Sequence, residues 1–421
     1  MNGQIANLAA ESSALAHQAQ KHSAKQSPLH IAIIGAGLLG RLTAWSLSNQ
    51  GHTITLLDKD SKQGHHSAAY AAAGLLTPLG EAMHSGANIV AMGFESLKLW
   101  PDILAQLNGY TYFQQAGTVM VSHEQDQGDY LRVTRFLNHH YPEHQCQALN
   151  RQQLLALEPE LGRSFQQGLY LPQEGQIGNR KLLIALQQQL EKSTITWLEQ
   201  AEVIGIKQNK AQCSIAYLQD NIQDEFTCDL AIDCRGSGAR TKSSATNAQP
   251  LQDLRAVRGE LFQLYAPDVN ITRPVRLMHP RYQFYIAPKT KGFYVVGATE
   301  IESEDSAPMT VRASMELLSA AYSVHSGFAE ANIRQHISQL RPAFSDNQPK
   351  ILTHNRLIQV NGLYRHGFLI APVVLKQLEY TVRQFGLKNQ QNGQFSDHKQ
   401  SPYHQWLAIL PTEEHQHECI Y

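Results

Sequence analysis

The sequence is poor in cysteine, in charge of either sign and in long apolar runs. Its 421 residues include five widely scattered cysteines without CxxC spacing, so we expect neither a disulfide framework nor a zinc module. Lys and Arg number 35 against 36 Asp and Glu, which argues against a protein that neutralises nucleic-acid phosphates. No window approaches the ~20 apolar residues of a membrane span. We therefore expect a cytoplasmic protein in a reducing compartment, without nucleic acid or a membrane span.

Both ends of the chain are polar. Residues 1–27 are rich in Gln, Ala, Ser and His, contain no run of seven apolar residues and predict no secretory signal. Residues 389–421 turn to Asn, Gln, Ser and His. Because such segments bury little apolar surface, we expect both to lie outside the folded unit. His415, His417 and Cys419 in the tail are weak evidence for a metal site, and we predict no bound metal.

A glycine motif opens the part of the chain that we expect to fold. Leu29–Ile34 is an apolar, β-branched run that predicts a buried parallel strand, and GAGLLG follows it at the start of a helical pattern. In this motif the first glycine permits a tight turn, the second admits a pyrophosphate and the third allows close helix packing. Asp58 ends the next strand, eighteen positions after Gly40, where a carboxylate can bind a ribose 2′-OH. These features predict a dinucleotide site at Gly35, Gly37, Leu38, Leu39, Gly40, Asp58 and Lys59.

The segment after Asp58 favours FAD over NAD. It is built almost entirely from small residues, which let the backbone lie against a flat ring, and its predicted contacts are Ser67, Ala72, Ala73, Gly74 and Leu75. The chain has no second intact GxGxxG motif. A single cofactor that carries its own redox chemistry is therefore expected.

Nine elements in one order resemble the glycine/D-amino-acid oxidase family of FAD flavoproteins, most closely its glycine oxidases of thiamine biosynthesis. They are IAIIGAGLLG, Asp58, SAAYAAAGLLTPLGE, DLAIDCRGSGAR, VRGE, FYIAPK, VVGAT, LRPAFSD and LYRHGFLIAP. The resemblance implies a two-domain α/β (α+β) fold: a glutathione-reductase-type FAD-binding Rossmann domain and a substrate domain built on an antiparallel sheet. We expect residues 28–112, 166–246 and 337–388 in the first, and residues 113–165 and 247–336 in the second.

The resemblance also implies residues for substrate binding. Arg341, in LRPAFSD, matches the position that binds the substrate carboxylate, although a structural pairing with Asp346 or Glu81 is the alternative. Tyr285 matches a tyrosine that covers the substrate, with an ordinary strand aromatic as the alternative; Tyr282 is a weaker candidate.

The start of the last helix is expected beside the flavin pyrimidine ring, where its N–H groups would stabilise negative charge. The residues concerned are Arg365, His366, Gly367, Phe368 and Leu369, and Val203 and Gly236 are further expected cofactor contacts. Family members commonly carry Asn where His366 stands. This histidine either adds a titrating group near the substrate or points outward.

Glu300 is a second departure, because the related glycine oxidase has an apolar Met at this position. Its carboxylate either faces the flavin and favours a cationic substrate group, or belongs to a solvated acidic run, Glu300–Asp305. No cysteine lies within a hundred residues of Arg341 on its N-terminal side, so the FAD is expected to be non-covalent.

Together these residues predict an FAD-dependent oxidase of glycine or another small amino acid or amine. The expected reaction transfers a hydride from the substrate Cα to the flavin N5, yields an imine and hydrogen peroxide, and supplies thiazole synthesis. One alternative is a dehydrogenase that passes electrons to a quinone or carrier. Another is a maturation flavoprotein that oxidises a residue of a partner protein. We expect a homo-oligomer.

Overall fold

The computed structural model describes residues 27–240, 251, 253–278, 283–290, 292–389 and 401–411. Its helices within this part of the chain are α1 (Leu38–Asn49), α2 (Pro78–Glu81), α3 (Ala87–Ala105), α4 (Gln127–His140), α5 (Arg151–Leu157), α6 (Asn179–Glu191), α7 (Val311–Val324) and α8 (Gly367–Asn389). Short 3₁₀ turns cover Glu124–Asp126, Pro142–His144, Gly236–Arg240, Ser326–Glu330 and Tyr364–His366.

The strands of the same residues form four sheets. In chain order they are β1 (His30–Ile34), β2 (Thr53–Leu57), β3 (Leu75–Leu76), β4 (Phe113–Gln114), β5 (Thr118–Val121), β6 (Gln147–Asn150), β7 (Gln167–Leu171), β8 (Gly175–Ile177), β9 (Thr196–Leu198), β10 (Glu202–Gln208), β11 (Cys213–Gln219), β12 (Ile222–Cys228), β13 (Leu230–Asp233), β14 (Arg255–Tyr265), β15 (Val275–Leu277), β16 (Phe284–Pro288), β17 (Phe293–Gly297), β18 (Asn332–Ala343), β19 (Lys350–His354), β20 (Leu357–Asn361) and β21 (Ile409–Pro411). Two of the sheets are large, with seven and eight strands, and residues associated with both line the cavity described below.

The seven-stranded sheet has the order β21-β19-β20-β13-β1-β2-β9, and β1 pairs in parallel with β2 and with β13. Side chains alternate along β1: Ile31 and Ile33 pack in a core shared with α1, α3 and α8, whereas Ala32 and Ile34 pack in a core shared with β10 and β11. Both faces of β1 are therefore covered, which explains why its sequence is apolar throughout.

The eight-stranded sheet has the order β18-β14-β17-β16-β15-β5-β7-β6 and is antiparallel except where β15 meets β5. Phe284 and Ile286 of β16 pack in a core with α7, whereas Tyr285 and Ala287 point to the other face, beside Ala73. The period of two thus turns one face of this sheet toward the small-residue segment 67–75.

The prediction of an α/β fold with a parallel-stranded sheet and a large antiparallel sheet is confirmed. The domain boundaries stay predictions. Strand pairing includes β7 and the whole of β18 in the eight-stranded sheet, whereas the expected boundaries at residues 166 and 337 assign β7 and half of β18 to the cofactor domain. Within the described ranges, no helix is both long and apolar enough to cross a bilayer.

The prediction that the chain after residue 388 lies outside the fold is wrong for residues 401–411. β21 pairs in parallel with β19, and Leu407 and Ile409 are 2% and 3% exposed. The Gln377 side chain donates a hydrogen bond of 2.8 Å to the Leu407 carbonyl. A few apolar residues suffice to dock a polar segment on an open sheet edge. Residues 1–26 and 412–421, with His415, His417 and Cys419, lie outside the described residues, as does Tyr282.

Leu407→Ala is expected to lower the free energy of unfolding by about 2–5 kcal/mol, because it removes a buried side chain. Leu410, which is 42% exposed, supplies a matched control three residues away, and Leu410→Ala should change stability by less than about 0.5 kcal/mol. Urea unfolding followed by tryptophan fluorescence measures both. Equal effects of the two substitutions would contradict the docking of this segment.

Candidate active site

A cavity of about 1020 Å³ is lined by residues associated with both large sheets, a volume at the upper end of small-molecule sites. Every predicted site residue except Gly40 lines it. The cofactor set comprises Gly35, Gly37, Leu38, Leu39, Asp58, Lys59, Ser67, Ala72, Ala73, Gly74, Leu75, Val203, Gly236, His366, Gly367, Phe368 and Leu369, and the substrate set comprises Tyr285, Glu300, Arg341 and Arg365. Residues from distant parts of the chain thus meet around one space, and their individual roles stay predictions.

The glycine motif forms the turn from β1 into α1. Gly35 has φ +98°, and a Cβ there would lie 2.8 Å from the Cys234 carbonyl, so a side chain is excluded. Gly40 lies under this turn rather than at the cavity, because a Cβ at Gly40 would come within 1.8 Å of the Gly35 oxygen. No side chain caps α1 at Gly37, and its first turn carries no acidic residue. Its N–H groups are therefore suited to bind phosphate.

Asp58 stands at the end of β2, next to the glycine turn. Its carboxylate accepts hydrogen bonds from the backbone N–H of Ala36 at 2.5 Å and of Asp60 at 2.8 Å. Burial raises the pKa of Asp58, and these backbone hydrogen bonds counteract part of the rise. The position fits a carboxylate that recognises a ribose hydroxyl.

Arg41 holds the glycine turn in place, a role that the sequence does not predict. Its side chain is 1% exposed and donates hydrogen bonds to the carbonyls of Ala36, Leu183 and Lys62 at 2.7, 2.9 and 2.7 Å. Burial lowers the pKa of Arg41 to about 10, so it keeps its charge at neutral pH. Arg41 ties the glycine turn to α6 and to the loop after β2. An arginine in the first turns of a helix gives no sign of such burial in the sequence.

Arg341 lines the same cavity from β18. Its Nη1 donates a hydrogen bond of 3.2 Å to the Thr299 carbonyl, and the guanidinium covers Gly259, where a Cβ would come within 2.1 Å of Nη2. The acidic partners considered for it are engaged elsewhere: Asp346 pairs with Lys350 at 3.2 Å, and Glu81 pairs with other arginines. No carboxylate of the described residues lies within ion-pair distance of Arg341, although its charge helps to lower the pKa of Glu300.

Tyr285 lies on β16, opposite Gly297 of the adjacent strand β17. Its hydroxyl occupies space over Gly297, because a Cβ there would lie 2.8 Å from the tyrosine oxygen. Burial raises the pKa of Tyr285, although the charges of Arg341 and Arg276 oppose part of that rise. The hydroxyl therefore stays protonated at neutral pH and can donate a hydrogen bond.

Glu81 contacts two arginines at the wall of the cavity. Its Oε1 lies 2.7 Å from Arg276 Nη1 and its Oε2 lies 2.9 Å from Arg365 Nη2. Burial alone would raise the pKa of Glu81, but the charges of Arg365 and Arg276 hold it far below its ordinary value. Arg276 also donates to Thr77 at 2.9 Å and to Gln283 at 2.5 Å. Arg276 stands in an ordinary strand pattern, so the sequence gives no sign of these contacts.

Glu300 combines features of both alternatives considered for it. It lines the cavity, and its Oε2 lies 2.6 Å from Arg365 Nη1, yet its side chain is 44% exposed. Burial would raise the pKa of Glu300, but the charge of Arg365 lowers it overall. The carboxylate is therefore ionised at neutral pH and held at the cavity wall by an arginine that Glu81 also holds.

His366 points inward. It is 3% exposed and lines the cavity, and its Nδ1 lies 3.8 Å from Glu81 Oε2 without a hydrogen-bond partner in the described part of the chain. Burial lowers the pKa of His366 to about 4, so the ring is neutral at pH 7. A buried nitrogen without a partner, aimed at a cavity, is suited to bind a ligand.

Comparisons with known proteins agree with this geometry. Residues 30–379 match the family described as FAD dependent oxidoreductase. A Rhizobium etli protein that carries the name thiamine biosynthesis oxidoreductase ThiO is 32% identical over 346 residues, which cover 82% of this chain and 94% of that protein. The bifunctional protein ThiO/ThiG of Synechocystis is 26% identical over 83% of this chain and 50% of its own length. The glycine oxidase structure from Geobacillus kaustophilus has a TM-score of 0.72 at 21% identity, covering 86% of this chain and 95% of that one.

The residues around the cavity fit the cofactor of that family. The uncapped start of α1 suits a pyrophosphate, Asp58 suits a ribose, and the small residues 71–74 leave room for a flat ring. His366, whose Nδ1 has no hydrogen-bond partner in the described part of the chain, and the start of α8 line the same space. The wall thus offers contacts for each part of FAD.

Glu81→Gln is expected to lower the free energy of unfolding at pH 7 by about 3–5 kcal/mol, because it leaves two arginines without their shared carboxylate. The folded-state pKa of Glu81 lies below its ordinary value of 4.5, so the unfolded chain takes up the proton first. The stabilisation by Glu81 is then complete above about pH 4.5 and declines as the pH falls further.

Urea unfolding of the wild type and of Glu81→Gln between neutral and acidic pH tests this expectation. The difference between the two proteins should shrink on acidification. Glu330→Gln, which changes an exposed glutamate at the end of the turn Ser326–Glu330, is the control and should change stability little at any pH. A difference that grows as the pH falls would contradict the assigned pKa shift.

Proposed function

The chain belongs to the FAD-dependent oxidoreductase family, and we propose that it oxidises glycine or another small amino acid or amine. Arg341 is the observation that carries this proposal: its guanidinium faces the cavity beside Tyr285 and lacks an acidic partner in the described part of the chain. A planar fork of N–H donors suits a substrate carboxylate. More coarsely, the protein is an FAD-dependent oxidoreductase of the glycine oxidase and ThiO type.

Bound FAD would supply the acceptor for the hydride that leaves the substrate Cα when the amine becomes an imine. The task of the protein is to bind and orient the substrate. Arg341 would hold the carboxylate, and the protonated hydroxyl of Tyr285 would donate a second hydrogen bond to it. The N–H groups that begin α8 would stabilise negative charge at that end of the cavity.

The charges around the substrate end favour a substrate with one carboxylate. Glu81 and Glu300 neutralise Arg276 and Arg365, and His366 is uncharged at pH 7. Among the described residues of this end, Arg341 therefore carries the unbalanced positive charge. The carboxylate of Glu300 at the wall would make it costly to bury a large apolar substituent there. Both considerations support a small amino acid.

The electron acceptor and the pathway are finer parts of the proposal. We propose that dioxygen takes up the electrons and is reduced to hydrogen peroxide, and that the imine supplies thiazole assembly. The name of the Rhizobium etli relative supports a role in thiamine biosynthesis. A dehydrogenase that uses a quinone or carrier would share the same cavity.

An anaerobic screen of the holoenzyme against glycine, other small amino acids and N-methyl amines tests the reaction. Glycine or a close relative should bleach the flavin absorbance, because the substrate transfers its hydride in the absence of oxygen. Admission of air should then restore the colour with stoichiometric peroxide. Reduced enzyme that persists in air would favour the dehydrogenase, and a flavin that no amine bleaches would refute amine oxidation.

Arg341→Gln is expected to weaken binding of the substrate identified in that screen by about 2 kcal/mol or more, roughly 30-fold in Kd, because a charge-assisted pair is lost. Arg334→Gln is the matched control, since Arg334 lies on the same strand, β18, and stacks over Tyr265. Kd from anaerobic titration of flavin reduction measures both variants. An unchanged Kd in Arg341→Gln would show that another group binds the carboxylate.

A further inference from the structure

Residues 300–305, which we call the acidic strap, continue the chain beyond β17. The backbone is extended at its start, where Arg258 and Ile301 exchange hydrogen bonds of 2.9 and 3.0 Å. Glutamates occupy every second position, 300, 302 and 304.

Each acid of the strap contacts a different arginine, although Arg365 also contacts Glu81 and Arg258 also contacts Glu260. Glu300 lies 2.6 Å from Arg365, and Glu302 lies 2.6 Å from Arg255. Glu304 pairs with Arg240, and Asp305 lies 3.1 Å from Arg258. Four carboxylates in six residues thus each contact an arginine, although three of them are largely exposed to solvent.

The four arginines stand on two different sides. Arg255 and Arg258 belong to β14, in the same sheet as β17, so their pairs anchor the strap to its own sheet. Arg240 ends the turn after β13, and Arg365 stands between β20 and α8, so both lie in segments that follow strands of the seven-stranded sheet. Their pairs with the strap therefore cross to segments of the other sheet, and both segments also pack directly on β18.

The two crossing pairs, Glu300 with Arg365 and Glu304 with Arg240, lie beside residues that line the cavity. Glu300 and Ser306, at the two ends of the strap, line the cavity, as do Gly236 and Gly238 in the turn that carries Arg240. The carboxylates of Glu302, Glu304 and Asp305 are 67%, 64% and 62% exposed, so they lie on the outer side. The strap thus bridges the two walls between which the cofactor must lie.

We propose that the acidic strap is a clasp that retains FAD, and that its crossing ion pairs must open before the cofactor leaves or enters. Exposed ion pairs are individually weak and are screened by salt. The two crossing pairs resist the same separation of the cavity walls. Ionic strength therefore controls how fast the holoenzyme exchanges its cofactor, independently of which substrate it oxidises.

Release of FAD from the holoenzyme tests this proposal directly. The protein is diluted, and the rise in free-flavin fluorescence is followed from about 0.01 M to about 1 M KCl, over which the Debye length falls from ~30 Å to ~3 Å. The wild type should release FAD several-fold faster at high salt. Glu304→Gln should release it about two- to fivefold faster than the wild type at low salt, with a flatter salt dependence.

A charge swap separates the clasp from a general loss of stability. Arg240→Glu opposes two negative charges and should release FAD fastest, whereas the double variant Arg240→Glu with Glu304→Arg restores the pair and slow release. Glu95→Gln, far from the strap in sequence and paired with Lys98, should behave as the wild type. Salt-independent release by the wild type, or a double variant as fast as Arg240→Glu, would overturn the proposal.

Discussion

The buried carboxylate of Glu81 is the constraint on which the rest of the site depends. It lies at the end of a four-residue helix and contacts an arginine from the eight-stranded sheet and another from the segment before α8. Because a buried charge is costly without partners, these three groups stabilise one arrangement and disfavour others. Arg365, once oriented by Glu81, holds Glu300 at the cavity wall. Arg276, Glu81, Arg365 and Glu300 thus form a row of alternating charges that ends at the acidic strap.

The arginines that line the cavity differ in whether a carboxylate contacts them. Carboxylates contact Arg276 and Arg365, whereas Arg341 lies over Gly259 and donates a hydrogen bond to the Thr299 carbonyl. The two paired cations form part of the cavity wall, and Arg341 is the one that we propose for the substrate carboxylate. Such separation of structural from binding groups is how a rigid site is obtained from flexible side chains.

The parts of the site that the sequence predicts are those whose signals are local. GAGLLG and Asp58 lie within one βαβ unit of about thirty residues, so the glycines, the strand and the acid support one another. The family resemblance, rather than a local signal, predicts Arg341, Tyr285 and the start of α8 as site residues. The contact of Arg276 with Glu81 joins residues 195 positions apart, and Arg41 is recognised only when three carbonyls surround it. Such partners depend on tertiary packing, which composition and spacing do not reveal.

The C-terminal strand has a consequence for how molecules of this protein meet one another. A sheet edge displays unpaired N–H and C=O groups and readily recruits strands from other chains. Here β19 is shielded by β21, a strand of three residues that ends at Pro411, and proline has no N–H to offer a further neighbour. The opposite edge, β9, is equally short. Among the described residues, both edges of the seven-stranded sheet are therefore short strands that offer few hydrogen-bonding groups to another chain. A chain cut after residue 389 would lack β21 and would expose the longer edge strand β19.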